Sequence, residues 1–131
     1  MNNDTERWVF AGGCLLLGLG VVFGAFGAHA LEASLSPKML DTFETGVRYQ
    51  MYHGLGLLAV ALAIGRWTER RLTPAAWLLF SGTVVFSGSL YVLVLTGARW
   101  LGAITPFGGV ALIAGWGLVA WRLLAPARRS R

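Results

Sequence analysis

Long apolar runs alternate with short polar connections along this chain. Trp8 to Leu31 is apolar or small except for His29, and Met51 to Gly65 except for His53 and Tyr52. Ala75 to Leu95 is interrupted only by hydroxyls, and Pro106 to Leu124 only by Arg122. A hydrocarbon core about 30 Å thick takes roughly 20 helical residues to cross. Three runs have that length, whereas the second supplies only 15 residues between Gln50 and Arg66 and must borrow its first turns from the preceding segment. Ser36-Pro37, Thr73-Pro74 and Thr105-Pro106 each offer a hydroxyl at N-cap and proline at N1, which favours opening a helix. Pro126 follows the last run as a stop. The pattern predicts spans over 8–31, 48–65, 74–96 and 106–124 in a single domain, 1–131.

The segment 37–47 reads differently. Met39, Phe43, Val47 and Met51 recur every fourth residue, with Lys38, Asp41, Glu44 and Arg48 elsewhere, as on an amphipathic helix. A short extracytoplasmic helix lying along the interface is therefore expected between the first two spans. The fold class is an all-α integral membrane protein, an antiparallel four-transmembrane-helix bundle. Small residues four apart allow helices to approach closely in lipid, and such rows are Gly20, Gly24 and Ala28, then Ala59 and Ala63, then Ala111 and Gly115.

Composition sharpens the class. Hydrophobic residues make up 56% and charged residues 13%, with mean hydropathy +0.62, against about 25% charged in soluble domains. Net charge is +5, but the cations sit in connections and a tail instead of on a polar face, so no nucleic-acid partner is expected. Their distribution orients the chain. Arg7, Arg66, Arg70, Arg71, Arg122, Arg128, Arg129 and Arg131 lie on one side, and only Lys38, Arg48 and Arg99 on the other. The positive-inside rule then puts both termini in the cytoplasm, in a plasma (inner) membrane, with the basic tail on the inner leaflet. Arg7, the first run and Ala28-His29-Ala30 imitate a signal peptide. The run exceeds an h-region of about 7 to 15 residues, and its loss would leave an odd number of spans, so it is expected to stay. Cys14, the only cysteine, cannot form an internal disulfide and reads as a packing residue.

With this topology, polar side chains gather toward one leaflet. His29 and Glu32 end the first span, Tyr49, Gln50, Tyr52 and His53 begin the second, Ser87, Ser89 and Tyr91 lie in the outer part of the third, and Thr105 opens the fourth. Polar groups in hydrocarbon cost several kcal/mol, on the order of 2 to 7, unless paired, so these should face one another or a wet cavity. Two readings stand. In one, His29, Tyr49, Gln50, His53, Ser87, Ser89, Tyr91 and Thr105 line a pocket for a small polar ligand, a lipid headgroup or a proton. In the other they form a satisfied network that fixes helix register, and the protein is a structural subunit or assembly helper. Two imidazoles, His29 and His53, are too few to call for haem or a transition metal, so no cofactor is expected. No Ser-His-Asp set, H-E-x-x-H or P-loop is present, so an enzyme ranks third. A bundle this small would need a homo-oligomer to enclose a large pore, and a membrane-protein partner fits the assembly reading.

Five motifs carry a resemblance: GAFGAH at Gly24 to His29, TG-x-x-YQ-x-x-H at Thr45 to His53, GT-x-x-FSGSLY at Gly82 to Tyr91, TP-x-GG at Thr105 to Gly109 and AGW at Ala114 to Trp116. In this order, over essentially the whole chain, they resemble the small membrane-protein family called domain of unknown function 423, that of bacterial YgdD and YwdK and eukaryotic transmembrane protein 256. The resemblance implies a four-span inner-membrane protein without an assigned activity. Its pattern maps onto His29, Tyr49, Gln50, His53, Ser87, Ser89, Tyr91, Thr105 and Pro106, and does not require Glu32, Arg48 or Tyr52. That weakens any mechanism built on a His29–Glu32 pair or an Arg48 clamp.

Overall fold

The computed structural model describes residues 2–126; Met1 and residues 127–131 lie outside the described residues, and with them Arg128, Arg129 and Arg131 of the expected basic anchor. The described chain forms four long helices. They are α1 (Asn2–Phe26), prolonged by a π-helical turn at Gly27–Leu31, α2 (Pro37–Arg66), α3 (Thr73–Thr96) and α4 (Thr105–Leu124). Single 3₁₀ turns, Thr68–Arg70 and Arg99–Ala103, make the last two connections. Proline stands in the first turn of α2, α3 and α4. Only at α2 does the preceding hydroxyl cap: Ser36 Oγ accepts from the Met39 N–H at 3.3 Å. Thr73 and Thr105 are already inside their helices, and Thr105 Oγ1 lies 3.2 Å from the Leu101 carbonyl oxygen. Gly97, at φ +71°, ends α3 in the left-handed conformation that costs glycine little, and its N–H closes on the Leu93 carbonyl at 2.8 Å.

The helices are antiparallel and pack in chain order, α1 on α2, α2 on α3 and α3 on α4, with α1 and α4 at the edges and little packed on each other. Burial follows. Of the apolar window of α3, 44% is buried, against 17% in those of α1 and α4, so the edge helices turn Val21, Val22, Ile113 and Leu124 outward. Apolar surface of that extent has a ready partner in lipid. Three helical stretches, Asp4–Leu31, Thr73–Thr96 and Arg99–Leu124, are long and apolar enough to cross a membrane.

The separate interfacial helix expected at 37–47 is corrected: it is the opening of one unbroken 30-residue helix, Pro37–Arg66. The reason is its buried seam. Phe43, Gly46, Gln50, His53, Gly54, Leu57, Val60, Ala61 and Ile64 recur at three- and four-residue steps from one end to the other. No breaker interrupts that seam, so packing on α1 and α3 holds a single axis.

The small-residue rows also move. Against α2, α1 buries Gly13, Gly20 and Gly27, seven apart. A Cβ on Gly13 would meet the Gly54 carbonyl oxygen at 2.9 Å, and one on Gly27 would meet Phe43 at 2.9 Å. Gly24 lies beside this row and Ala28 is exposed, as is Ala59 on α2. On α4, Gly108 joins Ala111 and Gly115: its Cβ would fall 2.5 Å from the Phe86 backbone nitrogen. A seven-residue repeat keeps one face toward a neighbour over a long, shallow left-handed crossing.

Arginines tie the end that holds the chain termini. Arg70 donates to the Arg122 carbonyl at 3.1 Å and to the Ala125 carbonyl, while Arg122 donates to the Arg71 carbonyl at 2.6 Å. The first two bonds place a cation on the last carbonyls of α4, where orphan acceptors and the helix dipole favour one.

Candidate functional site

Gln50 is the hub of the polar cluster in the half of the bundle away from the termini. It is 3% exposed on the seam of α2, between α1 and α3. Its Nε2 donates to the Leu16 carbonyl of α1 at 2.8 Å, and its Oε1 accepts from the Tyr91 hydroxyl of α3 at 2.6 Å. One amide thus joins three helices. The Tyr91 ring is held by Phe23 and Phe43, at centroid distances of 4.8 and 5.0 Å. It also lies flat enough on α2 that a Cβ on Gly46 would stand 2.8 Å from its Cε1.

Gly46 serves a second bond. With no side chain in the way, its carbonyl accepts from Ser87 Oγ of α3 at 2.6 Å. Farther toward the α3–α4 connection, Ser89 Oγ and Thr105 Oγ1 meet at 2.7 Å. Each hydroxyl has only one proton, and each also approaches a carbonyl, Phe86 at 3.0 Å and Leu101 at 3.2 Å. One donates across the interface while the other donates to its nearby carbonyl, Phe86 of α3 for Ser89 or Leu101 of the 3₁₀ turn for Thr105. Among the described residues, no buried side-chain nitrogen or oxygen lacks a partner.

The remaining candidates separate from this lock. His53 is 8% exposed and sits one turn along α2, with Nδ1 2.8 Å from the Tyr49 carbonyl. A carbonyl only accepts, so Nδ1 carries the proton in this contact and the neutral ring offers Nε2 as an acceptor. Nε2 makes no hydrogen bond among the described residues. Tyr49 stacks on the imidazole at 6.0 Å and meets Phe86 tilted at 4.6 Å, and Trp116 of α4 lies tilted 6.1 Å from His53. These rings, from α2, α3 and α4, form one aromatic cluster around Tyr49 and His53, in which Tyr49 is 38% exposed. His29 stands apart. It is exposed in the π-helical turn and shares no hydrogen bond or ring contact with the others. No group of three or more His, Cys, Asp or Glu side chains converges among the described residues.

The structure brings Gln50, Ser87, Ser89, Tyr91 and Thr105 together in one half of the bundle, with partners that the sequence did not indicate. The acceptors at Leu16 and Gly46 are backbone groups, invisible in a list of polar side chains. Trp116 and Phe86 were legible only as apolar positions, although Trp116 lies within the AGW motif. A signal for Gly46 was present, because Thr45-Gly46 heads the motif that ends in His53.

Comparison with known proteins fits this picture. A family model described as a protein of unknown function, DUF423, matches residues 23–109. A UPF0382 membrane protein of Staphylococcus haemolyticus is 53% identical over 103 residues, covering 79% of this chain and 82% of its own length. One from Staphylococcus epidermidis is 55% identical over 104 residues, 79% of this chain and 84% of the relative. The UPF0382 membrane protein YwdK of Bacillus subtilis is 52% identical over 99 residues, 75% of this chain and 80% of the relative. No solved structure matches. With two thirds of its length matched and relatives this similar, this membrane protein belongs to the DUF423 family.

Proposed function

We propose that the protein is a structural or assembly component of the bacterial inner membrane, and that its polar cluster is a register lock. The observation that carries this reading is that Gln50, Tyr91, Ser87, Ser89 and Thr105 each make a hydrogen bond to another helix or to one another. A ligand pocket would instead aim unpaired donors or acceptors into a space. In this reading all four helices cross the bilayer. α2 does so despite its polar residues because it lies between α1 and α3, which satisfy Gln50 away from lipid. Both termini face the cytoplasm, following the arginines at the terminal end. Crosslinking in native membranes, followed by mass spectrometry, tests the role. A second polypeptide or a second copy held in stoichiometric amount supports an assembly component, and a monomer without partners removes it.

One observation favours a second reading. Buried His53 leaves its Nε2 without a hydrogen bond among the described residues, beside the rings of Tyr49 and Trp116. A small ligand that donates a hydrogen bond, or a proton, is what this nitrogen would hold. Native mass spectrometry of gently extracted protein decides. An extra mass lost in His53→Ala with unchanged thermal stability makes the His53 cluster a site, and bare protein leaves the lock alone.

A further inference from the structure

Two hollows at the terminal end share residues. One is polar, about 420 Å³, and is lined by Thr5, Thr68, Arg71, Thr73 and Arg122 over the buried Ile64 and Leu72. The other is an apolar groove of about 440 Å³ between α1 and α3, and it begins at the same Thr5 and Thr73. Its walls follow one spacing on both helices. Thr5, Trp8, Val9 and Gly12 rise along α1, and Thr73, Ala76, Trp77 and Phe80 along α3, each at steps 0, 3, 4 and 7, with Leu57 of α2 as the floor. Seven residues of helix span about 10 Å, roughly a third of a hydrocarbon core about 30 Å thick. Gly12 and the buried Ala76 keep the groove open, while Trp8 and Trp77 stand 78% and 65% exposed at its lips.

The polar hollow has a charge to match. Among the described residues the ion pairs are Asp4–Arg7 and Glu69–Arg70, so neither Arg71 nor Arg122 has a carboxylate partner. Glu6 lies against Gly65 and does not line either hollow. Arg71 is in the left-handed conformation at φ 49°, engaging its carbonyl with Arg122 while its own guanidinium makes no bond to the described residues. Two guanidiniums and three threonine hydroxyls at the mouth of an apolar groove match an amphiphile whose head is an anion. We propose that this is a binding site for one anionic phospholipid, its phosphate on Arg71 and Arg122 and the first part of one acyl chain between α1 and α3.

The test uses the full chain, delipidated in mild detergent and examined by native mass spectrometry with equimolar dioleoylphosphatidylglycerol and dioleoylphosphatidylcholine. One phosphatidylglycerol should be retained in preference. Arg71→Gln should lower that fraction roughly fivefold, from a cation contribution on the order of 1 kcal/mol, and Arg71→Lys should restore most of it. Its side chain carries none of the described internal hydrogen bonds, so the fold should survive the change, with thermal unfolding as the check. Gly12→Leu, which fills the groove, should also lower retention. Equal retention of the two lipids, or no response to Arg71→Gln, overturns the site. So does an equal loss in Arg99→Gln at the opposite end, which would mean bulk charge. If Gly12→Leu has no effect and glycerol phosphate displaces the lipid completely, the hollow is an anion site and the lipid assignment is wrong.

Discussion

Removing the Tyr91 hydroxyl and the Gln50 amide, singly and together, measures the lock. Tyr91→Phe keeps the ring between Phe23 and Phe43 but deletes the 2.6 Å bond, leaving the Gln50 Oε1 buried and unpaired. Interhelical hydrogen bonds in membranes average about 0.6 kcal/mol and reach about 1.7, and an orphaned buried group costs about 1–3. A loss of about 1–2 kcal/mol is expected. Gln50→Leu deletes both the Tyr91 bond and the 2.8 Å bond to the Leu16 carbonyl, and orphans the Tyr91 hydroxyl, which is 9% exposed at the residue level. About 2–3 kcal/mol should go, again from lost bonds plus an orphan. In the double variant no orphan remains, so the total should stay near that of Gln50→Leu, with a coupling of about 1–2 kcal/mol. Reversible unfolding in mixed detergent micelles, followed by far-ultraviolet circular dichroism, gives the values. Additivity within about 0.3–0.5 kcal/mol would mean the residues act independently and would refute the shared bond.

Gly108→Ala should push α3 and α4 apart, because its Cβ falls on Phe86 backbone atoms at 2.5 and 2.8 Å; a loss of about 1–3 kcal/mol is expected. Gly18→Ala, with nothing within 4 Å, should be neutral or gain up to about 1 kcal/mol of helix propensity, and thermal midpoints in one detergent compare the two. Cys14 is exposed on α1, and a charged reagent does not enter the hydrocarbon that covers this face in a membrane. A charged maleimide should therefore label it only after denaturation, and rapid labelling in sealed vesicles would mean that this edge is wet. In a Cys14→Ser background, Ser36→Cys should label from outside intact cells and Thr68→Cys only after permeabilisation; the reverse result inverts the orientation.

Much of this was legible because apolar runs and prolines are local signals. Helix starts at Pro37, Thr73 and Thr105 are written in one or two residues each, a proline in the first turn and a hydroxyl beside it. The continuity of α2 was not, because its first half looks amphipathic from outside, where Lys38, Asp41 and Glu44 are exposed. The seam from Phe43 to Ile64 emerges only when burial is known. The glycine rows slipped for the same reason. Several spacings are available among so many glycines, and the neighbouring helix selects seven by placing Gly54 against Gly13 and Phe43 against Gly27. The cluster was visible as a depth band of polar residues. What separates the lock from His53 is the direction of each bond, set by rotamers and by backbone carbonyls at Leu16, Gly46 and Tyr49.

The reach of the family match adds a further distinction. Residues 23–109 contain every side chain of the lock, Gln50, Ser87, Ser89, Tyr91 and Thr105, together with Phe23, Gly46 and Phe43 that seat the Tyr91 ring. Only the Leu16 acceptor lies outside, and it is a backbone carbonyl that any residue supplies. The His53 cluster and the terminal hollow are built across that boundary: Trp116 lies beside His53, and Thr5, Trp8, Gly12 and Arg122 complete the hollows, all beyond the matched segment. The lock therefore depends on little outside the segment that the family model matches, whereas the two proposed ligand sites need side chains from its flanks. A stability defect from Gln50→Leu should accordingly transfer to a relative that carries the same Gln–Tyr pair. Lipid preference should follow the flanking helices, and exchanging residues 1–22 between relatives would move it without disturbing the lock.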